Sequence, residues 1–389
     1  MDIAEKKKIA IVAANCFVGG VETALINMLH CIDRNEYEIT VFTNFRGNPC
    51  ARDILPDINY VNLDLFDLRT SFFSALSKFD LFRLITILKN YVVIRASSQW
   101  YVQDICSCKH MDFKSVHFDA VIAYKHAWST SYIAKKAVKA DKSLLWVHGE
   151  LPSKNRGYLQ TLSSFDHCFC VSEYIRSYFL RYCPSMAEKT DVFHNILDAK
   201  AIIRKAKEAA AEIDASRKVI LVTVGRLGQD KGQAVIPETA SLLAKNGIDF
   251  AWYLVGDGPT RSEIEQGIRT FHMENNVFLL GTKDNPYPYM QECSIYVQTS
   301  TSEGWCLTTQ EARILHKPCV VTDIPVMHEQ FTDGINGIIA NGTDAAALYE
   351  GIMRLLASPK LVEKIIDNLK AEPQDGAVEI QKLYAFLEN

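Results

Sequence analysis

Two carboxylates, Glu303 and Glu311, stand eight positions apart in the stretch SEGWCLTTQEA, residues 302–312. Thr308-x-x-Glu311 has the spacing of a capping box, in which Glu311 would serve only to satisfy the start of a helix. A helix start is also an anion site. The amides of Thr308 and Thr309 would point at a phosphate, and Gly304 just before them allows another group to approach closely. Glu303 follows the apolar run SIYVQTS and is not explained by capping. A carboxylate at a strand's end beside an anion site can accept hydrogen bonds from sugar hydroxyls.

Cations occur in a comparable position. Arg226 and Lys231 lie in VGRLGQDKG (224–232), directly after an apolar run. An arginine fork and a lysine point charge on one loop suit a diphosphate; a solvated basic loop is the alternative reading. Two glycine turns also follow apolar runs. In NCFVGGVETAL (15–25), Gly19 and Gly20 would let backbone approach a ligand, with a helix from near Val21 aiming free N–H groups at an anion. A plain strand–helix turn fits them equally well. VGDGPTRSE (255–263) has Gly256 and Gly258 but lacks the third glycine of a dinucleotide fingerprint, and it reads as structural.

The elements that must hold these groups are legible as short apolar, β-branched runs. They begin at 8, 37, 58, 119, 143, 167 and 191 in the first half and at 219, 250, 277, 294, 318 and 337 in the second. Several are apolar on both faces, as buried parallel strands are. Helical patterns alternate with them (22–32, 236–247 and 308–317), which predicts doubly wound α/β sheets. The alternation breaks at 197–216, a charged, alanine-rich segment read as a helix passing between two domains. The expected division is 1–197, with a C-terminal helix at 376–389 packing back on it, and 198–375. Residues 68–95 do not alternate. They carry five basic residues against Asp80, with Leu81, Leu84, Ile85, Leu88 and Val92 at helical spacing. Such a stretch can lie on an anionic membrane surface or pack as an insertion helix.

A chain of 389 residues is comfortable as two domains, and its net charge of −4 argues against bulk binding to nucleic acid. Eleven scattered cysteines and an opening MDIAEKKK are expected of a protein in a reducing cytoplasm. The C-x-C pairs Cys106/Cys108 and Cys168/Cys170 would put both thiols on one strand face, without the further ligands a metal needs. No uncharged apolar run approaches the ~20 residues that span a bilayer.

Taken in order along the chain, these pieces resemble the retaining family 4 glycosyltransferases. The E-x7-E spacing of Glu303 and Glu311 carries the resemblance, with the glycine pair at 19–20, CVSEYIRSYF (170–179), HNILD (194–198), VGRL…KG, LVGDGP and DGINGIIA (333–340). The resemblance implies a GT-B architecture of two Rossmann-like domains facing a cleft, the second holding a nucleotide-sugar. It implies that Arg226 and Lys231 hold the diphosphate, Glu311 the ribose hydroxyls and Glu303 the donor sugar. The amides of Gly304, Trp305, Cys306, Leu307 and Thr308 would line sugar and phosphates, with backbone near Thr282 and Lys283 holding the base. Gly19 and Gly20 would reach the phosphates, and His148, in WVHG, would face sugar and acceptor.

The implied activity is metal-independent, cofactor-free transfer from a nucleotide-sugar, a UDP-sugar by family frequency, to a glycan or lipid-linked acceptor in surface polysaccharide assembly. The implied location is cytoplasmic, peripheral at the membrane's inner face. Family members often have glycine at Cys306, phenylalanine at Trp305, and a glycine pair where this chain has Ile324-Pro325-Val326. A nucleotide-sugar epimerase of the same fold, or a silent member that only binds a partner, are the competing readings.

Overall fold

The computed structural model describes residues 5–14, 19–44, 55, 57–63, 85, 88–89, 108, 111–210, 212–214, 216–373 and 377–388. Nearly all of 68–95 lies outside these; the described residues 85, 88 and 89 are helical and exposed. Cys106 also lies outside them. The chain divides into two compact units, Met1–Ile196 with Ala377–Asn389, and Leu197–Gly376.

Unit 1 is built on a seven-stranded sheet. Its strands are β1 (Lys7–Ala13), β2 (Tyr37–Thr43), β3 (Asn59–Asn62), β4 (Phe113–Ala123), β5 (Val138–Val147), β6 (His167–Cys170) and β7 (Thr190–Val192). They are ordered β3-β2-β1-β4-β5-β6-β7, and every pair is parallel. Unit 2 has six strands: β8 (Val219–Val224), β9 (Phe250–Val255), β10 (Val277–Gly281), β11 (Ile295–Gln298), β12 (Cys319–Val321) and β13 (Ile338–Ile339). Their order, β10-β9-β8-β11-β12-β13, is again all parallel. All thirteen apolar runs therefore became strands. The reason is visible in β9, whose six residues are all buried because helices cover both faces of the sheet.

In each sheet the strand order reverses once, between β1 and β4 and between β8 and β11. Such a reversal opens a crevice at the carboxyl ends of the two strands, where ligands of doubly wound sheets bind. The loops after β8 and β11 carry Lys231 and Glu303. Behind them lies a core that includes Leu221, Trp252, Val297, Val320 and Ile338. The helix Ala377–Glu388 belongs to unit 1: Lys382 donates to the Val192 carbonyl at 2.8 Å, and the Tyr384 hydroxyl accepts the Asp33 N–H at 2.9 Å.

One expected element is corrected. The helix at 197–216 is only Ala199–Lys205, with turns following. The rest of that segment is drawn away from helical geometry by side-chain contacts. Asn285 Nδ2 donates to the Lys205 carbonyl and to Glu208, Lys283 and Tyr289 both bind Glu212, and the Asp214 N–H donates to the Tyr253 hydroxyl.

Cys168 and Cys170 do share a face of β6, their sulfurs 4.0 Å apart, both buried and free. Among the described residues no helix is long and apolar enough to cross a membrane.

Candidate active site

The loop after β8 is shaped by glycines that meet neighbouring backbone. Gly232 is left-handed (φ 64°), and a Cβ there would lie 2.2 Å from the Thr299 carbonyl, so the loop seats directly on the end of β11. The Thr299 hydroxyl donates to the Lys231 carbonyl at 2.7 Å and tightens this seat. A Cβ on Gly256 would lie 1.9 Å from the Gly225 carbonyl, and one on Gly258 2.2 Å from that of Leu227. The second glycine turn thus serves packing between the β8 and β9 loops, as its sequence suggests.

This seating delivers Lys231 to Glu303. Lys231 Nζ donates to Glu303 Oε1 at 2.6 Å, and the glutamate side chain is only 7% exposed. Burial opposes the charge on Lys231, but the neighbouring carboxylate outweighs it and raises the pKa, so the ammonium persists. Ser300 Oγ donates to the same oxygen at 2.7 Å, and Gln298 Nε2 stands 3.5 Å away. Gln298 is buried and fixed in turn: its Nε2 donates to Ser300 Oγ at 2.6 Å, and its Oε1 accepts from Tyr296 and Thr308 hydroxyls at 2.9 and 3.3 Å. The contacts of Lys231, Ser300 and Gln298 with Glu303 all reach its Oε1. Among the described residues no hydrogen bond is made to Glu303 Oε2. Arg226, half exposed, pairs with Asp230 at 2.6 Å on the same loop.

The helix after Glu303 runs Leu307–Ile314, and no side chain caps it. The capping-box expectation fails here. Cys306, left-handed at φ 51°, starts the helix earlier, which puts Thr308 inside the first turn. Thr308 turns to Gln298 instead, and the N–H groups of the first turn are left without side-chain acceptors. Gly304 precedes them. The two backbone carbonyls between Gly304 and the helix are occupied: that of Trp305 accepts from Gln330 Nε2, and that of Cys306 accepts from Thr309 Oγ1.

Glu311 lies in the second turn of this helix, buried, and caps nothing. Its Oε1 accepts from the Tyr287 hydroxyl at 3.1 Å. Burial pushes its pKa up to about 7, and the Tyr287 hydrogen bond moderates the rise. Thr282 is exposed just beyond the left-handed Gly281, and Lys283 reaches back to Glu212.

In unit 1, Gly19 is extended (φ 177°) and caps the helix Gly20–Cys31, whose start also has no side-chain cap. Neither glycine is left-handed, and the helix begins one residue before Val21.

His148 follows β5. Its ring lies against Tyr124 and Trp146, centroids 4.9 and 6.3 Å away, and its Nε2 is buried with no hydrogen-bond partner among the described residues. Burial, then the adjacent His126, push its pKa down to about 3 against a bond to Tyr124 backbone, so the imidazole is neutral. His126, which sequence reading passed over, is the brace. Its Nδ1 accepts the His148 N–H at 3.2 Å, which makes Nε2 the protonated nitrogen donating to the Glu150 carbonyl at 3.0 Å. Its only sequence signal is a histidine just past a strand end. Gln298 and Ser300 were also missed, although polar residues closing an apolar strand are such a signal.

Comparison with known proteins agrees with this architecture. Residues 204–372 match the Glycosyl transferases group 1 family, and residues 18–201 match Glycosyltransferase Family 4. The chain is 23% identical over 330 residues to the putative glycosyltransferase EpsF of Bacillus subtilis, covering 82% of this chain and 79% of EpsF. It is 29% identical over 175 residues to the N-acetylgalactosamine-N,N'-diacetylbacillosaminyl-diphospho-undecaprenol 4-alpha-N-acetylgalactosaminyltransferase of Campylobacter jejuni. That match spans 45% of this chain and 46% of the Campylobacter protein, under half of either. Anabaena HepE, solved with UDP-glucose, superposes with a TM-score of 0.72 at 18% identity, covering 98% of this chain and 99% of HepE. The fold is thus GT-B. The two family matches together run from residue 18 to residue 372, and the chain belongs to the family 4, group 1 glycosyltransferases.

Proposed function

We propose that this glycosyltransferase moves a sugar from a UDP-sugar to a glycan or lipid-linked acceptor in surface polysaccharide assembly, with retention of configuration and without a metal. The observation that carries the reading is the buried Lys231–Glu303 pair beside an uncapped helix start at the switch point of the unit 2 sheet. HepE was solved with UDP-glucose, and the Campylobacter relative is a transferase acting on an undecaprenol-linked substrate; both support this class of donor and acceptor.

In this reading Lys231, Arg226 and the first-turn amides receive the diphosphate. Negative charge grows on that group as the glycosidic bond breaks, and preformed donors stabilise it without reorganising. Backbone near Thr282 and Lys283 takes the base, and Glu311 the ribose. Glu303 keeps Oε1 on Lys231 and offers Oε2 to a sugar hydroxyl. His148 offers its Nε2 lone pair to a hydroxyl of the sugar or acceptor. A group with a pKa of about 3 orients a hydroxyl but is too weak a base to deprotonate it. The proton then goes to the departing phosphate oxygen, on the same face as the attack, which retains the anomeric configuration. The basic stretch 68–95 is proposed, on sequence alone, to meet an anionic membrane; equal sedimentation with anionic liposomes after neutralising its basic residues would remove that role.

A thermal-shift screen against nucleotide-sugars and nucleoside diphosphates tests the donor class. A ligand at a hundred times its Kd adds about 2.7 kcal/mol of stability. Stabilisation by UDP and a UDP-sugar is expected. No response to any nucleotide would sink the reading.

A further inference from the structure

Glu311 is buried, and the Tyr287 hydroxyl is the sole side-chain donor to its carboxylate among the described residues. The bond runs to Oε1 at 3.1 Å, and no described residue bonds Oε2. Tyr287 keeps the proton it donates, because burial and then the Glu311 charge push its own pKa far up.

The phenol is also held from behind. Tyr287 opens the helix Tyr287–Glu292 between Pro286 and Pro288, which restrict the backbone there, and its N–H donates to Asn285 Oδ1 at 3.2 Å. Asn285 is itself tied by its Nδ2 to the Lys205 carbonyl and to Glu208, each at 2.9 Å. A free carboxylate on the second turn of a helix could rotate about its side-chain torsions. Tyr287 removes that freedom by holding one oxygen.

We propose that Tyr287 is a positioning residue for the donor's ribose: it holds Glu311 Oε1 so that Oε2 is presented to the ribose hydroxyls. The inference rests on the donor reading above and extends it to a residue that neither the E-x7-E spacing nor any glycine turn indicates. It makes Tyr287 a determinant of ribose against deoxyribose, since a site built to hydrogen-bond a hydroxyl discriminates strongly against the ligand that lacks it.

The test is calorimetric titration of the full chain with UDP and with 2′-deoxy-UDP, comparing wild type, Tyr287→Phe and Glu311→Gln. Wild type should prefer UDP by about 10-fold or more. Tyr287→Phe should lose most of that preference, chiefly by weakening UDP, and in turnover should raise the donor KM several-fold with little change in kcat. Glu311→Gln should lose the preference as well, which covers the case of a poorly folded Tyr287 variant. Equal weakening of both nucleotides by Tyr287→Phe would mark a merely structural tyrosine and overturn the proposal, as would an unchanged preference. Failure of wild type to bind any nucleoside diphosphate would instead overturn the donor reading, and this inference with it.

Discussion

The carboxyl edges of the two sheets are built from opposite electrostatics. In unit 2 the edge is charged: Lys231 on Glu303, Arg226 on Asp230, and an open helix start. In unit 1 the described edge residues His126 and His148 are neutral imidazoles, one tied to backbone at both nitrogens, the other with a buried, unpartnered Nε2. Under the proposed function the contrast divides the work. A leaving diphosphate needs countercharge, and unit 2 has it. A sugar or acceptor hydroxyl needs only orientation, which a neutral ring supplies without competing for the phosphate.

The largest break in this contrast should come from the charged edge. Lys231→Met should lower kcat/KM by about 10³-fold, comparable to removing a preformed donor from a site of developing charge. It also leaves Glu303 buried and unpaired, at a cost of a few kcal/mol (~3–5 at most). Steady-state release of nucleoside diphosphate, read beside a melting curve, separates the two effects.

Next, pH should act on the units with opposite sign. His126 and His148 have pKa values lowered to about 4 and about 3, so between those values and the ordinary 6.5 the unfolded chain binds more protons than the native one. Their contribution is present above pH 6.5 and is lost as pH falls toward 4 and 3. Glu311, raised to about 7, does the reverse: its contribution is present below pH 4.5 and is lost as pH rises to 7. Each pKa unit is worth about 1.4 kcal/mol. Hydrogen exchange resolved by unit, comparing wild type with Glu311→Gln between pH 5 and 8, should show the downward slope removed from unit 2 only. Because ribose hydroxyls favour the carboxylate, UDP binding should strengthen as pH rises through about 7, releasing a proton, and Glu311→Gln should abolish that dependence.

A smaller effect is expected at His148. His148→Ala should reduce turnover by 10- to 100-fold, and the activity profile above pH 5 should contain no limb that the variant removes. A limb near pH 6.5 lost in the variant would show a titrating base and erase the contrast between the two edges.

The smallest concerns Cys306. A left-handed non-glycine residue costs about 1–2 kcal/mol, and losing a small buried side chain costs about 1. Cys306→Gly should therefore raise stability by less than ~1 kcal/mol and leave transfer intact.

These residues also show what the sequence could carry. The strands were legible because doubly covered parallel strands must be apolar on both faces. Glu303 stands out in the sequence because capping does not account for it, whereas its buried pairing with Lys231, 72 residues away, has no local signal. The cap expected at Glu311 failed: its spacing to Thr308 matches a capping box, but the left-handed backbone of Cys306 starts the helix early, and glycine is the residue that normally announces such a turn. The alanine-rich run after Lys205 has strong helical propensity, yet contacts from Lys283, Asn285 and Tyr289, some eighty residues away, override it. His126 and Tyr287 act through a backbone carbonyl and a carboxylate brought close only by the fold, so no local pattern reports them.

The central claim is that the charged edge of unit 2 holds a nucleotide-sugar through its diphosphate. Calorimetric titration of UDP-sugar into wild type and into folded Lys231→Met tests it most directly. Saturable binding by wild type, weakened at least 100-fold in the variant, is the predicted result. Undiminished binding by the variant would contradict the account.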